Sequence, residues 1–376
     1  MIGRIIHKLG VGLLVIGVAY QVQATAQQLD NVEKKSFVSR DFKLKNGQAL
    51  PVLTVAYETY GKLAPDGRNA VLITHGYTSS HHAAGRYTPN DRAAGTWDVL
   101  IGPGKAIDTN RFFVVASNNL GSSYGSTGPA SVNPATGKPY GPDFPHISIL
   151  DTIAAQKSLL DHLGVKHLVA VAGSSYGGRL AFLWGVTSPE FVNGIVPVVI
   201  APNLPYDPKA IDDLIARLAT DPNWSGGWYY DKGGITTVMT DIRIQTLKNY
   251  GIEAALKDSF PDPAAREAEI RRQAEPWARA FDGHSLVVLR RAALGVDIEK
   301  DFPKMRGKVK VLYVLSTTDK LFPPSIAPAV MAKLKSAGVA AQFFELKSEL
   351  GHSASGPDAA KWAPALGAFM DAIAGK

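Results

Sequence analysis

In this 376-residue chain, the serine at the centre of Gly173-Ser174-Ser175-Tyr176-Gly177 has the strongest claim to chemistry. The apolar run Leu168-Val169-Ala170-Val171-Ala172 precedes it and Gly178-Arg179-Leu180-Ala181-Phe182 follows. The motif therefore falls where a buried strand turns into a helix, the setting of a nucleophile elbow. A tight turn there projects the Ser175 hydroxyl out of the sheet, and Gly173 and Gly177 remove side chains that would collide. Gly178 lets the helix pack close to the strand.

A serine hydroxyl is a poor nucleophile until a base takes its proton, and the base needs a third group to hold it. Both arrive later in the chain. The apolar run Val309 to Ser316 ends in Thr317-Thr318-Asp319, and Gln342 to Leu346 is followed closely by Gly351-His352. His352 is expected to shuttle the Ser175 proton, with Asp319 fixing its tautomer. Asp319 also reads as a simple N-cap and His352 as a loop residue, but order and placement after strands favour the pair. Asp297 and Asp301 precede their strand and rank behind Asp319.

Acyl transfer also needs donors for a developing oxyanion. The backbone N–H of Tyr176 and that of Tyr77, in the loop His75-Gly76-Tyr77-Thr78 after the run Val71 to Thr74, are the candidates. His75 reads as structural. The cluster His75, His81 and His82 lacks the spacing of a metal site, so neither metal nor cofactor is expected. Gly102-Pro103-Gly104-Lys105 lacks phosphate-loop spacing.

These residues need a scaffold of alternating elements. Short β-rich runs fall at Val52 to Thr59, Val71 to Thr74, Phe112 to Ser117, Leu168 to Ala172, Ile195 to Ile200, Val309 to Ser316 and Gln342 to Leu346. Helical patterns lie at Ile149 to Leu163, Gly178 to Val186, Ile326 to Ser336 and Asp358 to Ile373. The order predicts an α/β fold with a mostly parallel, doubly wound sheet. Gly121 to Pro145, dense in Gly and Pro, predicts a long ordered loop. Between Ile200 and Val309 only helical patterns appear, at Ala210 to Leu218, Thr237 to Leu256 and Pro263 to Phe281. The division expected is a catalytic body, 37–200 and 306–376, with a helical lid at 201–305.

Composition narrows the class. The chain is 45% hydrophobic and 19% charged, enough for a sizeable core and against disorder. With no cysteine, thiol catalysis and thiolate metal sites are excluded. A net charge of +7, scattered along the chain, does not form a nucleic-acid footprint. Basic Arg4 and Lys8, the apolar run Leu9 to Tyr20 and Ala24-Thr25-Ala26 read as a secretory leader cleaved after Ala26. Twelve residues of helix reach about 18 Å, too short for a ~30 Å hydrocarbon core, so no stable membrane insertion is expected. A mature protein in the periplasm or medium follows, with its charge near +5 once Arg4 and Lys8 are gone.

Gly102 to Thr109, Asn118-Asn119-Leu120-Gly121 with Tyr124-Gly125-Ser126-Thr127-Gly128-Pro129, and Asn133 to Pro145 are three longer segments, and together they resemble the homoserine O-acetyltransferase family of α/β-hydrolase-fold enzymes. Asp319 before Leu321-Phe322-Pro323-Pro324 and Gly351-His352 fit the same pattern, and the likeness spans about 37 to 374. It implies an α/β-hydrolase fold with a helical lid, and a Ser175, Asp319, His352 triad acylated by acetyl-CoA and deacylated by homoserine. It also implies a homodimer through the lid. The family elbow usually reads G-G-S-M-G-G-M-Q-A-L-E-W, whereas Tyr176, Arg179, Leu180 and Leu183 stand here. The family's substrate-contacting Arg and Tyr, seven apart, correspond in spacing alone to Arg243 and Tyr250, and a solvated helix face is the other reading of Arg243. At the family's usual G-G-C-Y-G-S the chain has Gly121-Ser122-Ser123-Tyr124-Gly125-Ser126.

Export argues for water as acyl acceptor, because acetyl-CoA and homoserine are cytoplasmic. The expectation is an exported, esterase-like serine hydrolase acting on a small-molecule ester or acyl donor. The alternatives are an O-acyltransferase from acetyl-CoA to a homoserine-like hydroxyl, and a non-catalytic binding protein on the same fold.

Overall fold

The computed structural model describes residues 29–375, so the leader expected at 1–26 lies outside them. Eight strands form the main sheet: β1 (Lys35–Lys43), β2 (Ala49–Tyr60), β3 (Ala70–Thr74), β4 (Phe113–Ser117), β5 (Leu168–Ser174), β6 (Val192–Val198), β7 (Lys310–Ser316) and β8 (Ala341–Leu346). Their order is β1-β2-β4-β3-β5-β6-β7-β8. Only β2 runs against its neighbours; every other pair is parallel. β3 and β4 are buried at every position, as their unbroken apolar runs require of strands covered on both faces.

Helices α1 (Ile149–His162) and α2 (Tyr176–Thr187) lie between strands of the body, and α3 (Lys209–Leu218), α4 (Thr236–Asn249), α5 (Ile252–Leu256), α6 (Pro263–Ala280) and α7 (Gly283–Ala292) fill the interval between β6 and β7. α8 (Ala327–Ser336) and α9 (Ala359–Ile373) complete the chain. One apolar cluster joins the sheet to α1, α2, α8 and the lid helices; a second joins the opposite face to α9 through Trp362, Leu366 and Phe369. A capping box, Ser148 with Asp151, starts α1.

The largest differences from the sequence reading fall at four elements. β1 was not anticipated: it is an edge strand whose alternating, mostly exposed residues make no apolar run. β6 is Val192–Val198 rather than 195–200, because Val199 takes a φ of 47° and turns the chain out of the sheet. The single helix expected at 237–256 is two, broken where Gly251 adopts a φ of 93°. α7 was missed altogether. The body's purpose is visible at one edge, where β3, β5, β7 and β8 all end in loops that carry candidate residues.

Candidate active site

Ser175 joins β5 to α2 with φ 55° and ψ −123°, a strained conformation for a residue with a Cβ. The two flanking glycines make that turn sterically feasible. A Cβ on Gly173 would lie 2.2 Å from Thr74 Oγ1, and one on Gly177 2.2 Å from the Thr74 carbonyl oxygen. The elbow is thus pressed against the end of β3, where the second oxyanion candidate begins.

His352 lies in the short turn Gly351–Ser353 and donates from Nδ1 to Asp319 Oδ2 at 2.8 Å. The other Asp319 oxygen accepts the backbone N–H groups of Leu321 at 2.8 Å and Phe322 at 3.2 Å. Both side chains are buried, and the carboxylate, being acceptor-only, sets the proton on Nδ1. Among the described residues His352 Nε2 has no hydrogen-bond partner, Ser175 Oγ included. Ser175 and His352 line the same two cavities. Of the rival acids, Asp297 is engaged by Asn203 and Asp301 by Lys304.

The loop after β3 is held at several points. His75 Nδ1–H donates to Gly76 O at 2.8 Å and its Nε2 accepts the Asn119 N–H at 3.1 Å, which fits the neutral ring. Burial drives its pKa down to about 4. His75 is therefore a structural residue, as its sequence context suggested. Among the described residues the Tyr77 N–H donates to no backbone acceptor, and Tyr176 opens α2, whose first N–H groups lack partners one turn back. The rings of Tyr77 and Tyr176 pack 6.4 Å apart.

The lid grips this loop. Tyr77 Oη–H donates to Leu286 O at 2.5 Å, Trp277 Nε1–H to Thr78 O at 2.9 Å, and Arg243 Nη1 to Thr78 Oγ1 at 3.0 Å. Arg243 is not on a solvated face: it lies over the Trp277 ring, 4.9 Å from its centroid, and lines a cavity with Ser175, Tyr250 and His352. Burial pulls its guanidinium below the ordinary value, and among the described residues no acid pairs with it. Tyr250 packs 4.7 Å from the His352 ring. The two residues matched only by spacing therefore converge on the serine.

His81 and His82, grouped with His75 in the sequence, belong to a cluster built on Glu58, which sequence reasoning missed. Glu58, buried on β2, accepts from Tyr60 and Tyr87 and lies 3.2 Å from His82 Nδ1; His81 Nε2 is 3.8 Å away. Burial alone would raise the Glu58 carboxyl, but hydrogen bonds from His82, Tyr60 and Tyr87 bring it below its ordinary value. Its members are scattered between 58 and 87, and no spacing rule links them. Among the described residues, no group of three or more His, Cys, Asp or Glu is arranged to hold a metal.

Residues 69–356 match the family described as alpha/beta hydrolase fold. The chain is 37% identical over 336 residues to the homoserine O-acetyltransferase of Deferribacter desulfuricans (strain DSM 14783 / JCM 11476 / NBRC 101012 / SSM1), covering 84% of this chain and 88% of that relative. Among solved structures it is similar to a homoserine O-acetyltransferase from Bacillus anthracis, with TM-score 0.82 and 28% identity over 92% of this chain and 99% of that one. Esterase E22 is equally similar in shape, with TM-score 0.82 and 29% identity over 90% of this chain and 100% of that one. With this family match and a relative so similar over most of both lengths, the chain belongs to the homoserine O-acetyltransferase family of α/β-hydrolase-fold enzymes.

Proposed function

We propose that the protein moves an acyl group through Ser175 to the hydroxyl of a small alcohol that carries a carboxylate, homoserine being the type. One observation carries this reading: an unpaired, half-buried Arg243 opens on the same cavity as Ser175 and the Asp319–His352 pair. In the first half-reaction His352 Nε2 takes the Ser175 proton as Oγ attacks the acyl carbonyl. The oxyanion is met by the N–H groups of Tyr77 and Tyr176, and collapse expels the leaving group with the proton from His352. In the second, His352 deprotonates the acceptor hydroxyl, which attacks the acyl-serine and frees Ser175. Arg243 and Tyr250 would hold the acceptor so that its hydroxyl, rather than water, faces His352.

The name of the Deferribacter relative supports an alcohol acceptor over the water that export led us to expect from the sequence. Hydrolysis remains the second reading. The likeness to esterase E22 favours it, as does the leader-like composition of residues 1–26, from which we place the mature chain in the periplasm or medium.

The test supplies acetyl-CoA with homoserine, and separately short-chain p-nitrophenyl esters, to protein beginning at Gln27. O-Acetylhomoserine should form faster than ester is hydrolysed. Arg243→Ala should raise KM for homoserine about 10- to 100-fold, the worth of a charge-assisted hydrogen bond. Hydrolysis unaffected by homoserine would favour the second reading. Failure of Ser175 to label with a fluorophosphonate would sink both.

A further inference from the structure

Two cavities meet at Ser175, and both are lined by Tyr77, Ser175, Tyr250 and His352. The first, about 570 Å³, carries Arg243, Ser79, Ser80 and His81. The second, about 460 Å³, runs between α2 and the lid; Ile200, Leu204, Leu289, Leu294, Leu321 and Phe322 supply its apolar wall, and exposed Asp207, Asn249 and Arg290 line it as well. Their different linings call for different occupants.

Acyl transfer assigns those occupants. The reacting carbonyl carbon bears an acyl chain and a leaving group. His352 protonates the leaving group as it departs and deprotonates the acceptor as it arrives, so microscopic reversibility places both on the same side of Ser175. The acyl chain stays in the other direction through both half-reactions. On the proposed reading Arg243 draws the acceptor into the first cavity, which leaves the second to the chain.

We propose that the second cavity is an acyl-chain subsite and that the preferred acyl group is an apolar chain of roughly four to eight carbons, longer than acetyl. Its volume, about 460 Å³, is many times the ~30 Å³ share of a water-sized group, so an acetyl methyl would leave most of it unfilled. Arg179 and Arg290 also line it: the terminal nitrogens of Arg179 donate to Ala293 O at 2.6 Å and Val296 O at 2.9 Å, and Arg290, exposed on α7, donates from Nη1 to Ala210 O at 3.1 Å. Ala293 caps the carboxyl end of α7, where the helix dipole is negative, and this compensates the buried cation. Exposed Leu321 carries the apolar wall out to the rim.

This inference rests on acylation of Ser175, and the experiment separates the two. The enzyme is given p-nitrophenyl esters of two, four, six and eight carbons, and one whose four-carbon acyl group ends in a carboxylate, while Ser175 labelling by a fluorophosphonate is followed in parallel. kcat/KM should rise about fourfold for each added methylene from two carbons to an optimum between four and eight, the transfer value of a buried CH₂ expressed as a rate. Leu294→Trp, which fills the cavity from a partly buried wall position, should cut the six-carbon to two-carbon ratio at least tenfold, a ratio insensitive to the fraction of protein folded. Labelling with a maximum at two carbons, a preference for the carboxylate-ended chain, or a ratio unmoved by Leu294→Trp would overturn the subsite and leave the acyl-serine reading standing. Absence of both labelling and ester turnover would overturn the two together.

Discussion

Lowering the pH from 7 to 5 should weaken the fold by about 2 kcal/mol through His75 alone. In the folded chain this ring is buried, with Nδ1–H committed to Gly76 O and Nε2 facing the Asn119 N–H. A second proton on Nε2 would point at a donor, and burial penalises the charge further. Its pKa is about 4 in the fold, against about 6.5 in the unfolded chain. Between those values the unfolded state binds the extra proton and the folded state does not, so stability rises with pH across that window and is complete above it. Integrating between pH 7 and 5 gives about 2 kcal/mol. Urea unfolding at constant ionic strength, at both pH values, measures it. In His75→Gln the same pH step should cost about 2 kcal/mol less than in wild type, whatever the variant loses at pH 7. Equal pH dependence in the two proteins would refute the buried, neutral assignment.

Two substitutions test the elbow and the triad. Asp319→Asn keeps the shape of the side chain but turns a donor toward His352 Nδ1, so kcat should fall by about 10⁴ while the thermal melt stays near wild type; normal turnover would reassign the acid. Gly177→Ala would place a Cβ 2.2 Å from the Thr74 carbonyl oxygen and 2.6 Å from its carbon, both backbone atoms that cannot swing aside. It should cost about 1–3 kcal/mol by urea titration and lower kcat more than tenfold, and a fully active, equally stable variant would show that the elbow is not tightly packed.

What the sequence revealed depended on how local the signal was. β3, β4, β5 and β7 were legible because burial on both faces writes an unbroken apolar run. β1 was not, since an edge strand half in solvent keeps its polar residues. Ser175, Asp319 and His352 could be nominated because each follows a strand, in the Ser…Asp…His order of α/β-hydrolase folds. Arg243 could be matched only by its spacing to Tyr250, and whether it faced solvent or the serine was set by Trp277 and Thr78, far away in the chain. The Glu58 cluster and the second cavity left no local trace, for both arise only when distant segments pack.

The bonds from the lid to Tyr77 and Thr78 have a consequence for how this enzyme can be changed and how it is made. Leu286, Trp277 and Arg243 are respectively 209, 199 and 165 residues from the partners they hold. Contacts that distant slow folding, and without them the loop after β3 that carries Tyr77 loses its hold from the lid. The lid therefore cannot be exchanged as a detachable specificity cassette. A transplanted lid would have to bring a carbonyl for the Tyr77 hydroxyl and donors for Thr78, or selectivity would be gained at the expense of turnover.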